Sequence, residues 1–173
     1  MTNDQAEFLL TQVYLPQIQN EHKTTSRVIA AVPADQCDFK PHANSMGALQ
    51  LAWHIAASEC FFMNGVVAGK FEPGGSMPES IKTAEDVVTW YNENFAKATT
   101  ALSGLKGDDL TRMIDFRGVF NFPAIVYIGL MNSHSIHHRG QLSAYLRPMG
   151  AKVPRIYGGS GDEPIELPAA AKA

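Results

Sequence analysis

Three of the chain's six histidines stand close together in the run LMNSHSIHHRGQLSAYL, residues 130–146. His134 and His138 are four residues apart, about 40° round a helix, so they share one face. His137 points to the other flank. Adjacent residues diverge by about 100°, so His137 and His138 cannot aim at one small ion from a regular helix. Tyr127, Leu130, Met131, Leu142 and Tyr145 fall at helical intervals from His134 and His138 and share their face. Two imidazoles set into an apolar stripe are costly unless each has a partner. A bound metal ion would serve both.

A second apolar stripe comprises Met46, Leu49, Trp53, Ala57, Cys60 and Phe61, with Gln50 and His54 on the same face. A lone histidine in such a stripe is more often a satisfied core residue than a metal ligand. Beside His134 and His138, His54 reads instead as a third inward imidazole of one site. Cys60 lies six residues from His54, about 240° round the helix, and reads as a buried structural thiol. Glu59 falls outside the His54 stripe and reads as a solvated or ion-paired side chain. His22 lies in the polar segment NEHKTTSR and reads as solvated, and His42, beside Pro41 in a loop, takes no role in the site.

The elements that must position these residues are helical. A first helix is expected over 4–31, kinked or broken at Pro16, which lacks a donor and clashes with the preceding turn. A second starts near Ser45 as N-cap and gives way to a glycine-rich loop over 66–77. A third spans 83–105, with Thr83 and Asp86 close to a capping box. The segment GDDLTRMIDFRGVFNFP reads as a turn or short extended piece. A fourth helix runs over 123–147, opened by Pro123 and stopped by Pro148 and Gly150. The order expected for the chain is one domain over 1–173, structured over 4–163, with a mobile tail over 164–173. The fold class is all-α, an antiparallel four-helix bundle with long connecting loops. Connections longer than the usual 2 to 8 residues call for a crossover or a loop that covers a site.

Composition narrows the function classes. Of 173 residues, 45% are hydrophobic and 18% charged, and the net charge is −3 without any basic run. Nucleic acid has no support as a partner. Cys37 and Cys60 lack CxxC spacing, which fits a reducing compartment. The first residues have neither a positive nor an apolar signal region, and no stretch approaches the roughly 18 apolar residues of a membrane span. A cytoplasmic protein with no membrane association is the expectation.

The run HSIHHRGQLSAYLRPMG resembles the HxxxHRGQ signature of the DinB-like (YfiT-type) family. FKPHANSMGALQLAWHIAASE is similar to that family's loop and second helix, and KVPRIYGGSGDE to an ending found in one of its branches. The resemblance covers about 32–163. It implies a four-helix bundle holding a divalent metal on His54, His134 and His138, and frequent homodimers. Family members with an assigned activity include thiol-dependent S-transferases and a thiol-dependent isomerase.

A three-histidine set with an open position is a catalytic type of site, and zinc or nickel fits it best. The expected function is that of a metal-dependent enzyme on a small-molecule substrate, with transfer to a low-molecular-weight thiol cosubstrate ahead of hydrolysis. The alternative is a non-catalytic metal-binding or stress-associated protein. Gln141 is placed to touch a bound molecule or orient a histidine, and Tyr157 is a second supporting candidate. Tyr157, Asp162 and Glu163 either fold back over the site or cap the bundle. Arg139 points away from the histidine face, toward a carboxylate or a neighbouring subunit. A pocket is expected at the metal, rimmed by 65–77 or by 157–163.

Overall fold

The computed structural model describes residues 1–165, and the tail expectation for 166–173 lies outside them. The first helical rod comprises α1 (Asn3–Phe8), a π-helical stretch (Leu9–Tyr14) and α2 (Leu15–Ala30). Thr2 and Gln5 cap its start reciprocally. Pro16 does not break the rod. Its ring comes just after the wider π turn, which accommodates the missing N–H without ending the helix.

Helix α3 (Ala48–Ala68) starts two residues later than Ser45 would have it, with Gly47 as N-cap. The loop before it supplies the missing acceptors: Ala48 N donates to Phe39 O at 3.0 Å and Leu49 N to Cys37 O at 2.9 Å. Ser45 instead closes a turn onto His42 O. At the other end α3 continues through Ala68 into what had read as loop. Gly69 stops it at φ +73, and Arg112 donates to the Val66 and Val67 carbonyls at 2.6 and 3.0 Å.

Helix α4 (Ala84–Ser103) opens on the capping box its sequence announced, Asp86 accepting from the Thr83 N–H at 2.8 Å. A short α5 (Gly107–Thr111) leads into a hairpin of β1 (Met113–Phe116) and β2 (Phe120–Pro123), antiparallel in the register Phe116 to Phe120. Helix α6 (Ala124–Leu146) follows Pro123 directly.

The architecture is the all-α bundle expected, but its four long helices do not simply alternate. Ser26 meets Asn92 and His22 stacks on Phe95, so α2 and α4 are antiparallel. His54 meets His138 and Glu59 meets Ser135, so α3 and α6 are antiparallel too. Tyr14 lies against Gly129 and Glu21 against Arg139, so α2 and α6 run the same way. It follows that neighbouring α3 and α4 are also parallel. A chain leaving α3 must therefore return along the whole bundle before α4 can begin, and residues 69–83 are that crossover.

Helix α3 is long and apolar enough, by length and composition, to cross a membrane. Its inner positions, among them Leu51, Ile55 and Met63, are buried in the bundle core, with α4 on one side and α6 on the other. Trp53 and Phe61 on its outer side are half-buried beneath the crossover. Burial on more than one side accounts for its composition without a membrane.

Candidate metal centre

His54 comes from the middle of α3, and His134 and His138 come from successive turns of α6. One nitrogen from each lies within 4.8 Å of the other two. His54 Nε2 and His134 Nε2 are 3.2 Å apart. Two nitrogens each bound about 2.0–2.1 Å from a tetrahedral ion would stand about 3.3 Å apart, so the spacing fits a shared divalent metal. Two facing Nε2 atoms cannot both present lone pairs at that distance without repulsion, and an ion would satisfy both.

All three rings are half-buried. Burial, then the charge of neighbouring His138, lowers the pKa of His54. Burial, followed by the other nearby histidines, takes His134 down to about 4. Both are therefore held neutral, the form that ligates. His138 Nδ1 lies 2.7 Å from Gln141 Oε1. The amide oxygen can only accept, which puts the proton on Nδ1 and leaves the His138 Nε2 lone pair for a metal. His134 Nδ1 is buried with no hydrogen-bond partner among the described residues.

His137 meets His138 edge-on, ring centroids 4.9 Å apart, and is outside the cluster of close nitrogens. His42 accepts from Asn44 N at 3.2 Å within its own loop. Of the apolar residues expected on the histidine face, Tyr127, Met131 and Leu142 are buried, whereas Leu130 is 39% exposed. Leu130 lies about 40° from His134 on the side away from Met131 and Leu142, at the solvent edge of that face.

A groove of about 1180 Å³ runs along the outer side of α3, and His54 opens into it. The crossover covers it through Lys70, Glu72 and residues 73–78, as one of the two expected rims would require. The tail lies elsewhere. Tyr157 is brought to Arg139 and Glu21, its hydroxyl 2.6 Å from Arg139 and 3.0 Å from the Glu21 carboxylate, rather than to the histidines. Asp162 and Glu163 pair with Arg147 and Arg27. The tail straps α2 and α6.

A polar layer of Glu59, Tyr91, Ser135 and Arg139 is buried between the helices, and Glu59 and His22 differ from their sequence reading. Glu59 is 3% exposed, neither solvated nor ion-paired, and accepts hydrogen bonds from Tyr91 on α4 and Ser135 on α6. Burial raises its carboxyl to about 7. Arg139 is 1% exposed and finds its carboxylate in Glu21 on α2. His22 is half-buried, stacked on Phe95 with the Tyr91 ring tilted against it, rather than solvated, and burial lowers its pKa to about 4. A polar run of sequence hid it, because one aromatic-lined gap between α2 and α4 suffices to bury a single ring. Burial pushes the Cys60 thiol up to about 12, an inert core residue as its position suggested.

Comparison with known proteins agrees with this architecture. The model of the DinB family matches residues 1–166. The uncharacterized protein YjoA of Bacillus subtilis (strain 168) is 29% identical over 134 residues, covering 76% of this chain and 85% of that protein. The crystal structure of the DinB-like protein YjoA from Bacillus subtilis superposes with a TM-score of 0.71 at 25% identity, over 83% of this chain and 96% of that one. A DinB-like protein from Bacillus cereus ATCC 10987 shares the fold, with a TM-score of 0.73 at 22% identity over 85% and 97% of the two chains. A bundle of this topology, matched by the family model over nearly its whole length, makes this chain a member of the DinB family.

Proposed function

We propose that this chain is a divalent-metal-dependent enzyme acting on a small molecule, with thiol transfer ahead of hydrolysis. The observation that carries the reading is the donor set: three imidazoles, no fourth His, Cys, Asp or Glu in the cluster among the described residues, and a groove opening onto His54. A closed structural site would offer a fourth protein donor. When bound, a zinc or nickel ion at such a centre supplies a Lewis acid that makes coordinated water or thiol more acidic. Burial holds His54 and His134 neutral, Gln141 fixes the His138 tautomer, and Trp53 and the crossover line the groove into which His54 opens.

Neither cysteine suits the role of the transferred thiol. Cys60 is held at about 12, and burial also raises Cys37. The thiol is therefore a low-molecular-weight cosubstrate, in line with the activities assigned elsewhere in the family. The same reading takes a cytoplasmic homodimer, supported by the family's frequent dimers, with sedimentation as its check. The test of the activity is turnover of a panel of aryl halides, epoxides and esters by zinc- and nickel-loaded protein, with and without added small thiols. Metal- and thiol-dependent turnover supports transfer. Thiol-independent ester cleavage would assign hydrolysis, and stoichiometric metal with no turnover would leave a metal-binding protein.

A further inference from the structure

We infer that the groove beside His54 selects an organic anion with a flat apolar body, and that Arg117 is the residue that recognises its anionic group. The inference deepens the small-molecule reading above and rests on it. Its walls come first. Trp53 and Trp90, the chain's only tryptophans, meet with ring centroids 4.5 Å apart at one stretch of the groove. Phe61 and Phe116 line another. Aromatic faces of this kind hold planar apolar groups.

The charges distinguish the two ends. Lys70 is neutralised by Glu72 at 2.7 Å. At the end near the start of α3, Lys40 and Asp38 both line the groove, one charge of each sign. Arg117, at the hairpin end, lines the groove with no ion pair or hydrogen-bond partner among the described residues, and Glu72, the carboxylate in that part of the wall, is taken by Lys70. The carboxylate closest in sequence, Asp115, is engaged by the turn, accepting from Gly118 N at 2.9 Å.

The hairpin also fixes where that charge stands. Arg117 adopts φ +55, the only positive φ outside glycine among the described residues, followed by Gly118 at +76. Val119 N donates to Phe116 O at 3.0 Å, closing a tight turn whose first central position favours Asn, Asp or Gly. A long cationic side chain at that strained position points to a function for the side chain rather than the backbone. Tyr127 anchors the hairpin through Ile114 O at 2.8 Å, and Phe116 stacks on Phe62 with a 6° interplanar angle. Phe61 and Phe62 lie seven and eight residues beyond His54, about 10–12 Å along the α3 axis. A molecule whose anionic group meets Arg117 can therefore lay an aryl body along the groove and bring its far end to the metal centre.

The test uses 2-naphthoate and its neutral counterpart 2-naphthamide, titrated calorimetrically into full-length protein stripped of metal and then loaded with zinc. Without metal, the carboxylate is expected to bind about tenfold more tightly than the amide. Arg117→Asn, which tolerates the left-handed backbone, should remove that preference while leaving amide binding unchanged, and Arg117→Lys should restore part of it. Equal binding of the two probes, a preference unaffected by Arg117→Asn, or failure of both probes to bind would overturn the inference. So would a preference that appears only with zinc and survives Arg117→Asn, because the ion would then be the anion receptor. An Arg117-dependent preference in a protein that takes up no zinc would uphold the groove assignment and defeat the enzymatic reading instead.

Discussion

Glu59 of α3 accepts a hydrogen bond from Ser135 of α6, the residue next to His134. The same carboxyl accepts from Tyr91 of α4, so one buried group ties together three helices, two of which carry the metal-centre histidines. Arg139 extends the tie to α2 through Glu21 and to the tail through Tyr157.

Removing the Glu59 carboxyl leaves two buried hydroxyls without an acceptor, each costing roughly 1–3 kcal/mol. Glu59→Ala is therefore expected to destabilise the fold by a few kcal/mol in denaturant titration. Glu59→Gln, which can accept from Tyr91 and donate to Ser135, should recover most of the loss. Equal destabilisation by Ala and Gln would show that the negative charge, not the hydrogen-bond geometry, holds the layer together.

The Glu59 carboxyl also carries a pH signature. Burial raises it from 4.5 to about 7, so the folded state holds a proton that the unfolded chain releases. Its contribution to stability is fully present below pH 4.5 and is lost as pH rises through 7. Wild-type protein should lose melting temperature between pH 5 and 8 more steeply than Glu59→Gln. Parallel profiles would contradict the assignment.

His22 acts in the opposite sense. Burial lowers it from 6.5 to about 4, so the unfolded chain takes up a proton while the folded chain resists. Its contribution is intact above pH 6.5 and is lost as pH falls toward 4. His22→Phe, which preserves an aromatic ring between Tyr91 and Phe95, should flatten the stability loss over that interval. An unchanged acid limb of the melting profile would argue that His22 is not buried.

Proton competition at the metal centre should begin at lower pH than for free imidazole. His54 is lowered and His134 is near 4, both chiefly through burial. Protons therefore compete for these two donors below the ordinary histidine range, and zinc should remain largely bound at pH 5.5 in equilibrium dialysis. Half-release near pH 6.5 would contradict the burial seen here. Gln141→Ala, which frees His138 Nδ1, should weaken metal affinity about tenfold or more without loss of fold. An unchanged affinity would make Gln141 a bystander.

The pairing of His134 with His138 was legible because one helix fixes their mutual direction, and His54 was legible because its stripe was regular. The helix ends at Thr83 and Pro123 were equally plain, each written in a local capping signal. What sequence could not give was set by long-range topology. The parallel course of α3 and α4 follows from which helices neighbour one another, and no local pattern encodes that choice. Glu59 read as a solvated or ion-paired charge because its burial depends on partners on two other helices, Tyr91 of α4 and Ser135 of α6. The sequence left the tail's two courses open, over the site or against the bundle, because the residues that hold it, Glu21, Arg27 and Arg139, lie on other helices and take it to the opposite seam.

The claim on which the functional account depends is that His54, His134 and His138 together hold a divalent metal. Elemental analysis of protein purified without metal-affinity resin, and of its single-histidine variants after zinc loading and desalting, tests it directly. The expected result is about one ion per chain, abolished in His54→Ala, His134→Ala and His138→Ala and retained in His137→Ala and His42→Ala. Metal that survives all three of the first group, or that disappears with His137→Ala while His134→Ala keeps it, would contradict the centre described here.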